Sequence, residues 1–354
     1  MKETLLIPGL THIKAGPDFS RLKKAVLREG ETGRVPFLEL FADAEIKNAI
    51  LGEPVRNMEQ EAEFWLRLGY DRVPAPIGVR FQFNKETAPD TAGELARSER
   101  GWVNERTAII KNWDDFERYP WPEFDEGAIE YVEQTRKILP DGMGILVQSS
   151  GVLENVMWLM GYEGLSMALY DTPGLVQEMF DRVGKLVLTC YEAAMDIEEV
   201  GGAFFGEDMG FKTATMISPD AMRKYHFPWL KRIVDVCHEH GKFFILHSCG
   251  RLDEIMNDLI DYVGIDAKHS FEDAIEPVAG FKKRYGDRIG IVGGVDVDAL
   301  TRRTVDEVRR YVRKILEDCA PGGGYALGSG NSIANYIRVE NYLAMLEEGW
   351  NYSH

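Results

Sequence analysis

Nowhere does this sequence hold the run of about 18 apolar residues that a membrane-crossing helix needs, so no membrane partner is expected. Its first residues, Met1 to Pro8, show no apolar core behind a basic start, and no secretory signal is expected there. Cysteine is scarce: Cys190, Cys237, Cys249 and Cys319 are too few and too scattered for a disulfide framework, which points to a reducing cytoplasm. Cys190 and Cys237 sit inside apolar helical patterns and read as core, while Cys319 follows a helix and is a minor ligand candidate. Basic charge is in deficit: 41 Lys and Arg against 58 Asp and Glu give a net charge of −17, which repels nucleic acid and anionic membranes. There is no Gly-x-Gly-x-x-Gly after a strand and no Gly-x-x-x-x-Gly-Lys-Ser/Thr loop, so no dinucleotide or nucleotide site is expected. What remains, 45% apolar and 28% charged over 354 residues, is an ordinary globular composition. It is long enough for one barrel of about 250 residues with additions, and a single domain over 1–354 is expected.

The chain is organised around Phe243-Phe244-Ile245-Leu246-His247-Ser248-Cys249-Gly250. Four apolar residues in a row read as a strand buried on both faces, as in a parallel sheet. His247 and Cys249 are two apart and leave an extended strand end in one direction, where imidazole and thiolate can hold one zinc ion. A buried histidine and a buried free cysteine are the bland alternative. Seven further apolar runs read as strands: 34–40, 70–74, 144–149, 201–206, 263–267, 288–293 and 324–328. Helical patterns separate most of them, including a Thr304-Val305-Asp306-Glu307 capping box. Eight strands alternating with helices predict an α/β fold, a (β/α)8 barrel. Between 79 and 122 the pattern breaks into loops rich in tryptophan.

Polar residues follow the apolar strands: Gln148, Glu207 with Asp208, His247 with Cys249, His269, Asp296 and Ser329. In a barrel those tips converge on one mouth. The bland reading, a helix cap or turn residue, fits Asp296 and Ser329 best, while Glu39, near the end of the first strand, reads equally as pocket lining or as an exposed turn position. Glu207 brings a carboxylate one strand away from His247 and Cys249. Zinc held by His, Cys and one carboxylate with an open position would be catalytic in type.

Several short stretches, in order and spacing, resemble the uroporphyrinogen decarboxylase superfamily: Gly33-Arg34-Val35-Pro36, Leu68-Gly69-Tyr70-Asp71, Ile217-Ser218-Pro219, His247-Ser248-Cys249-Gly250, Gly293-Gly294-Val295-Asp296, Gly328-Ser329-Gly330-Asn331-Ser332-Ile333 and Val339-Glu340-Asn341-Tyr342. Within it the chain is more similar to the cobamide-dependent methyltransferases than to the decarboxylases. The resemblance implies a (β/α)8 barrel with N-terminal additions, and barrels of this kind often form homodimers. The decarboxylases carry Arg-Gln-Ala-Gly-Arg after the first strand, where this chain reads Leu38-Glu39-Leu40-Phe41-Ala42-Asp43. An acidic segment opposes an octa-anionic tetrapyrrole. The zinc methyltransferases use His-x-Cys and a later cysteine. His247 and Cys249 match, while the later position falls at Ser329, a poor ligand. Glu207 is the expected replacement, with Asp208 and His269 behind it.

That harder ligand set suits an oxygen-bearing substrate, which implies an O-demethylase. Such an enzyme moves a methyl group from a small methylated, methoxylated aromatic compound to the corrinoid (cobamide) of a partner protein. Gln148, Glu39, Asp296 and Ser329 are the expected substrate-facing residues, and Glu207, Asp208 and His269 the expected catalytic ones. Trp102, Trp113 and Trp121 would either stack on the substrate ring or only cover the barrel end. Two other readings stay open: a cofactor-free decarboxylase with Asp71 or a strand-tip acid as general acid, and a corrinoid-binding barrel without turnover.

Overall fold

The computed structural model describes residues 16–352, apart from the side chain of Glu94; Met1 to Pro8 fall outside that range. Nine strands occur among the described residues: β1 (Arg72–Pro76), β2 (Lys85–Pro89), β3 (Glu99–Val103), β4 (Gly144–Ser150), β5 (Val200–Gly206), β6 (Phe243–His247), β7 (Ala267–His269), β8 (Gly290–Val292) and β9 (Tyr325–Ala326). Seven of them form one parallel sheet in the order β1-β4-β5-β6-β7-β8-β9, and β2 and β3 form a separate antiparallel hairpin inside the tryptophan-rich connection. No helix among the described residues is long and apolar enough to cross a membrane.

The sheet is curled, and its two faces bury different sets of side chains. The concave face holds Leu146, Phe204, Phe243, Ile245, Ala267, Val292 and Ala326, together with Leu38. The helix Phe19–Val26 inserts Leu22 and Val26 into the same cluster, and Phe19 stacks on Phe243 with ring centroids 5.8 Å apart. The N-terminal addition thus plugs one end of the curl. The convex face packs Val73, Ala75, Ile145, Val147, Ala203, Phe205, Phe244 and Leu246 under the helical layer. Strands buried on both faces explain why their sequences read as unbroken apolar runs.

The expected first strand over 34–40 is corrected. It shrinks to a single parallel bridge between Phe37 and Leu327, beside β9. Leu38 donates to the Leu327 carbonyl (2.9 Å) and Leu327 donates to the Pro36 carbonyl (2.8 Å). On its other side the segment meets the Arg72 side chain, whose guanidinium donates to the Glu39 carbonyl. A side chain stands where β1 would need a main-chain ladder, so seven strands, not eight, form the sheet. The Thr304 capping box is present: Glu307 accepts from the Thr304 N–H at 2.9 Å and opens the helix Val305–Cys319.

Candidate metal centre

Strand parity decides what reaches the concave side. Phe204 lies there and Phe205 lies under the helices. The ladder runs one residue past β5, because the Glu207 N–H donates to the His247 carbonyl at 2.9 Å. With a period of two, Glu207 turns outward and Asp208 inward. The same parity carries Phe243, Ile245, His247 and then Cys249 inward from β6. His247 is paired in register with His269 of β7.

Asp208, His247 and Cys249 each offer a donor atom, and these atoms all lie within 4.8 Å of one another. His247 Nε2 is 3.6 Å from Asp208 Oδ1 and 3.7 Å from Cys249 Sγ. Asp208 Oδ1 also accepts from the Cys249 N–H at 2.8 Å, which ties the two strand tips together. Around the sulfur, Asn331 Nδ2 donates at 3.3 Å and Ser270 Oγ stands at 3.4 Å. Ser270 holds a left-handed backbone (φ 92°), unusual for a residue with a Cβ, and its Oγ donates to the Gly330 carbonyl at 3.0 Å. Lys268, buried on the convex side, donates to the carbonyls of Ser270 (2.5 Å), Ser248 (3.4 Å) and His269 (3.4 Å), and so clamps both tips from behind. Burial lowers the His247 imidazole to about 4 against the pull of Asp208, and burial then Asp208 push the Cys249 thiol up. In the metal-free protein at neutral pH the ring is uncharged and the sulfur carries its proton.

Glu207 does not join this cluster. Fully buried, it accepts from the N–H groups of Val152 (2.6 Å), Leu153 (3.2 Å) and Glu154 (3.0 Å), and from His226 Nε2 (2.8 Å). Its carboxyl group thus caps the N-terminus of the helix Val152–Met160. Gly151 has to be glycine for this: a Cβ there would lie 2.2 Å from the carboxyl carbon. Glu154, beside it, has its carboxyl pushed well above the usual range by burial, then by Glu207 and Asp208.

His269 is buried between His247, whose Nδ1 is 2.8 Å from its own Nδ1, and the Ser329 carbonyl, 3.1 Å from its Nε2. Ser329 is turned to Glu39, which accepts from its N–H (2.8 Å) and its hydroxyl (2.5 Å). Glu39 is therefore internal and faces no solvent. Gln148 donates to the Leu40 carbonyl at 2.5 Å. Cys319 is fully buried in the core. Asp71 sits at the opposite, N-terminal end of the sheet, against Arg21 (2.8 Å) and Arg34 (3.3 Å).

Burial, opposed by the two Ser329 bonds, raises the Glu39 carboxyl from 4.5 to about 8. The folded state then holds a proton that the unfolded chain releases. The stability this group contributes is full below pH 4.5 and is lost as pH rises toward 8. Relative to Glu39→Gln, the wild type is expected to lose on the order of a few kcal/mol across that window in denaturant titrations.

Asp296 caps the helix Val297–Arg302 by accepting from the Asp298 N–H at 2.7 Å, and its other oxygen accepts from the Asp273 N–H at 2.8 Å. Asp296→Ala is expected to cost about 1 kcal/mol in thermal unfolding and to leave metal content unchanged.

A cleft of about 860 Å3 opens beside the cluster, and Asn331 belongs to both. Phe41, Phe271 and Tyr336 supply its aromatic walls, and four cationic and five acidic side chains line it. Trp102, Trp113 and Trp121 do not line it. Trp102 is 47% exposed on the β2–β3 hairpin, Trp113 packs edge-on against Phe116, and Trp121 packs on Phe116 and Tyr119. The sequence reading missed Asn331, Ser270 and Lys268 as neighbours of the site. Asn331 was legible: it lies two residues past Ser329 on one strand tip.

The family described as uroporphyrinogen decarboxylase (URO-D) matches residues 98–352. A uroporphyrinogen decarboxylase of Thioalkalivibrio sulfidiphilus (strain HL-EbGR7) is 26% identical over 196 residues, which are 51% of this chain and 50% of that protein. The chain thus matches about half the length of this curated relative. Among solved structures, a methyltransferase from Methanosarcina mazei superposes with a TM-score of 0.68 at 18% identity, covering 93% of this chain and 97% of that one. At that identity the likeness is one of fold.

Proposed function

This chain belongs to the uroporphyrinogen decarboxylase family, and we propose that within it the protein is a zinc-dependent methyltransferase. It takes a methyl group from a small methylated compound, a methoxylated aromatic, and passes it to the corrinoid of a partner protein. The observation that carries this reading is the convergence of Asp208 Oδ1, His247 Nε2 and Cys249 Sγ within 4.8 Å beside an open cleft. A carboxylate, an imidazole and a thiol are a zinc donor set, and three protein ligands leave a position for substrate. Bound there, zinc supplies Lewis acidity toward an ether oxygen.

The remaining work falls to this chain's own residues. Asp208, His247 and Cys249 would hold the ion, and Asn331 donates to the sulfur. Lys268 and Ser270 hold the loop backbone that carries the sulfur. Phe41, Phe271 and Tyr336 are the aromatic side chains of the cleft, where a substrate ring would lie. The methyl group would leave its oxygen for the partner's corrinoid, and the released oxygen would take a proton from water. The near balance of charge in the cleft supports a small substrate over an octa-anionic one. Asp71, ion-paired at the far end of the sheet, gives no support to the metal-free decarboxylase.

The test is an anaerobic assay of methoxylated aromatics with cob(I)alamin. Zinc-dependent formation of methylcobalamin, absent in Asp208→Ala, is the expected result. Metal-independent release of carbon dioxide from a carboxylate would favour the decarboxylase, and cobalamin binding without turnover would favour the binding barrel.

A further inference from the structure

His247 and His269 stand side by side on β6 and β7 with their Nδ1 atoms 2.8 Å apart. Such a bond needs one N–H and one lone pair. His269 settles which is which. Its Nε2 lies 3.1 Å from the Ser329 carbonyl oxygen, which can only accept, so Nε2 carries the proton. In a neutral imidazole the other nitrogen is then a bare acceptor. His247 donates to it from Nδ1 and is left with a lone pair on Nε2. That atom faces Asp208 and Cys249. The reverse arrangement would set two lone pairs against each other in a buried site. His269 is fully buried between a ring nitrogen and a carbonyl, and His247 is buried beside it, so the dry surroundings disfavour a charged ring.

The Ser329 carbonyl is itself held. Glu39 accepts from the Ser329 N–H and hydroxyl, and the Glu39 carbonyl accepts from Arg72. The His269–Ser329 bond also passes over Gly293 so closely that a Cβ there would lie 2.3 Å from the Ser329 oxygen and 2.9 Å from His269 Nε2. Gly293 has φ 83°, which glycine adopts without strain.

We propose that His269 is a positioning residue: through the chain Glu39–Ser329–His269 the fold sets the tautomer of His247 and presents Nε2 as its metal-binding atom. The metal half of this rests on the zinc reading above, whereas the tautomer does not. Metal-bound histidines are commonly fixed by an acceptor on the other ring nitrogen, usually a carboxylate or carbonyl. Here a second imidazole takes that place.

Two measurements on the full chain test this. Long-range proton–nitrogen correlation spectra of the zinc-free, histidine-labelled protein read each tautomer directly. The expected result is His247 protonated on Nδ1 and His269 on Nε2; His247 protonated on Nε2 would overturn the proposal. Zinc titrations of two variants read the consequence. His269→Gln keeps an oxygen to accept from His247 and an N–H to reach Ser329, and is expected to bind zinc within about threefold of wild type. His269→Leu offers no acceptor and is expected to bind roughly 10–100-fold more weakly. Equal affinity in a folded His269→Leu would overturn the proposal. If that variant does not fold, the wild-type spectra and His269→Gln still decide. A wild type that shows the expected tautomers and binds no zinc would sink the zinc reading and leave the tautomer chain standing.

Discussion

Cys249→Ala is expected to lower zinc affinity by at least about 100-fold, beyond the 10–100-fold seen when only an outer-shell partner is lost. The sulfur is one of three donors, and its neighbours Asn331 and Ser270 offer no charge to replace it. The same residue sets how zinc binding depends on pH. Burial and Asp208 hold the thiol protonated at neutral pH, so zinc has to displace that proton. His247 is already neutral above pH 5 and adds none. Zinc affinity is therefore expected to rise about tenfold per pH unit from pH 6 to 8. Calorimetry in two buffers of different ionisation enthalpy should count one proton released per zinc. In Cys249→Ala both the slope and the released proton should vanish. A pH-independent affinity in the wild type would mean that the sulfur is not a ligand.

Glu207→Ala is expected to act in the opposite way, costing about 3–5 kcal/mol of stability while a folded fraction still binds zinc. The carboxyl group satisfies the buried N–H groups of Val152 and Leu153, the half-buried N–H of Glu154 and a buried ring nitrogen of His226. Its loss leaves those donors in a dry interior with no replacement, and a buried polar group without a partner is costly. Glu207→Gln keeps an acceptor oxygen and should lose less. Denaturant titration separates the two, and metal content measured on the same samples should match the wild type. Asp208→Ala should give the mirror result: metal lost, with a smaller cost in stability, because its side chain is 38% exposed and the bond it gives up is the one from the Cys249 N–H. These adjacent acids differ only by which face of the strand they leave.

That one-residue difference shows where the sequence was legible and where it was not. Apolar runs and helical stripes are set by burial on both faces of a parallel sheet, and most of the strand order could be read from them. The pair His247 and Cys249 was legible for the same reason, because period two puts them on one side. Applied one strand earlier, the parity of Phe204 and Gly206 would have chosen Asp208. The sequence reading weighed Glu207 first because it brings a carboxylate one strand away from His247 and Cys249. Ser329 and Glu39 were expected to face substrate, yet they face each other; that contact joins residues 290 positions apart and leaves no local pattern. The segment at 34–40 reads as a strand by composition, but Arg72 from β1 intervenes, and only the folded structure brings it there. The tryptophans were visible as a cluster, while their absence from the cleft lining was not: Arg100 and Gly101 of β3 line the cleft and the next residue, Trp102, does not.

Anomalous diffraction at the zinc edge, from crystals grown with one equivalent of zinc, is the most direct measurement of the central claim. The expected result is one peak at the concave end of β6, about 2.0–2.1 Å from His247 Nε2, 2.3 Å from Cys249 Sγ and within about 2.2 Å of an Asp208 oxygen. A peak on other residues, or none in protein exposed to zinc, would contradict it.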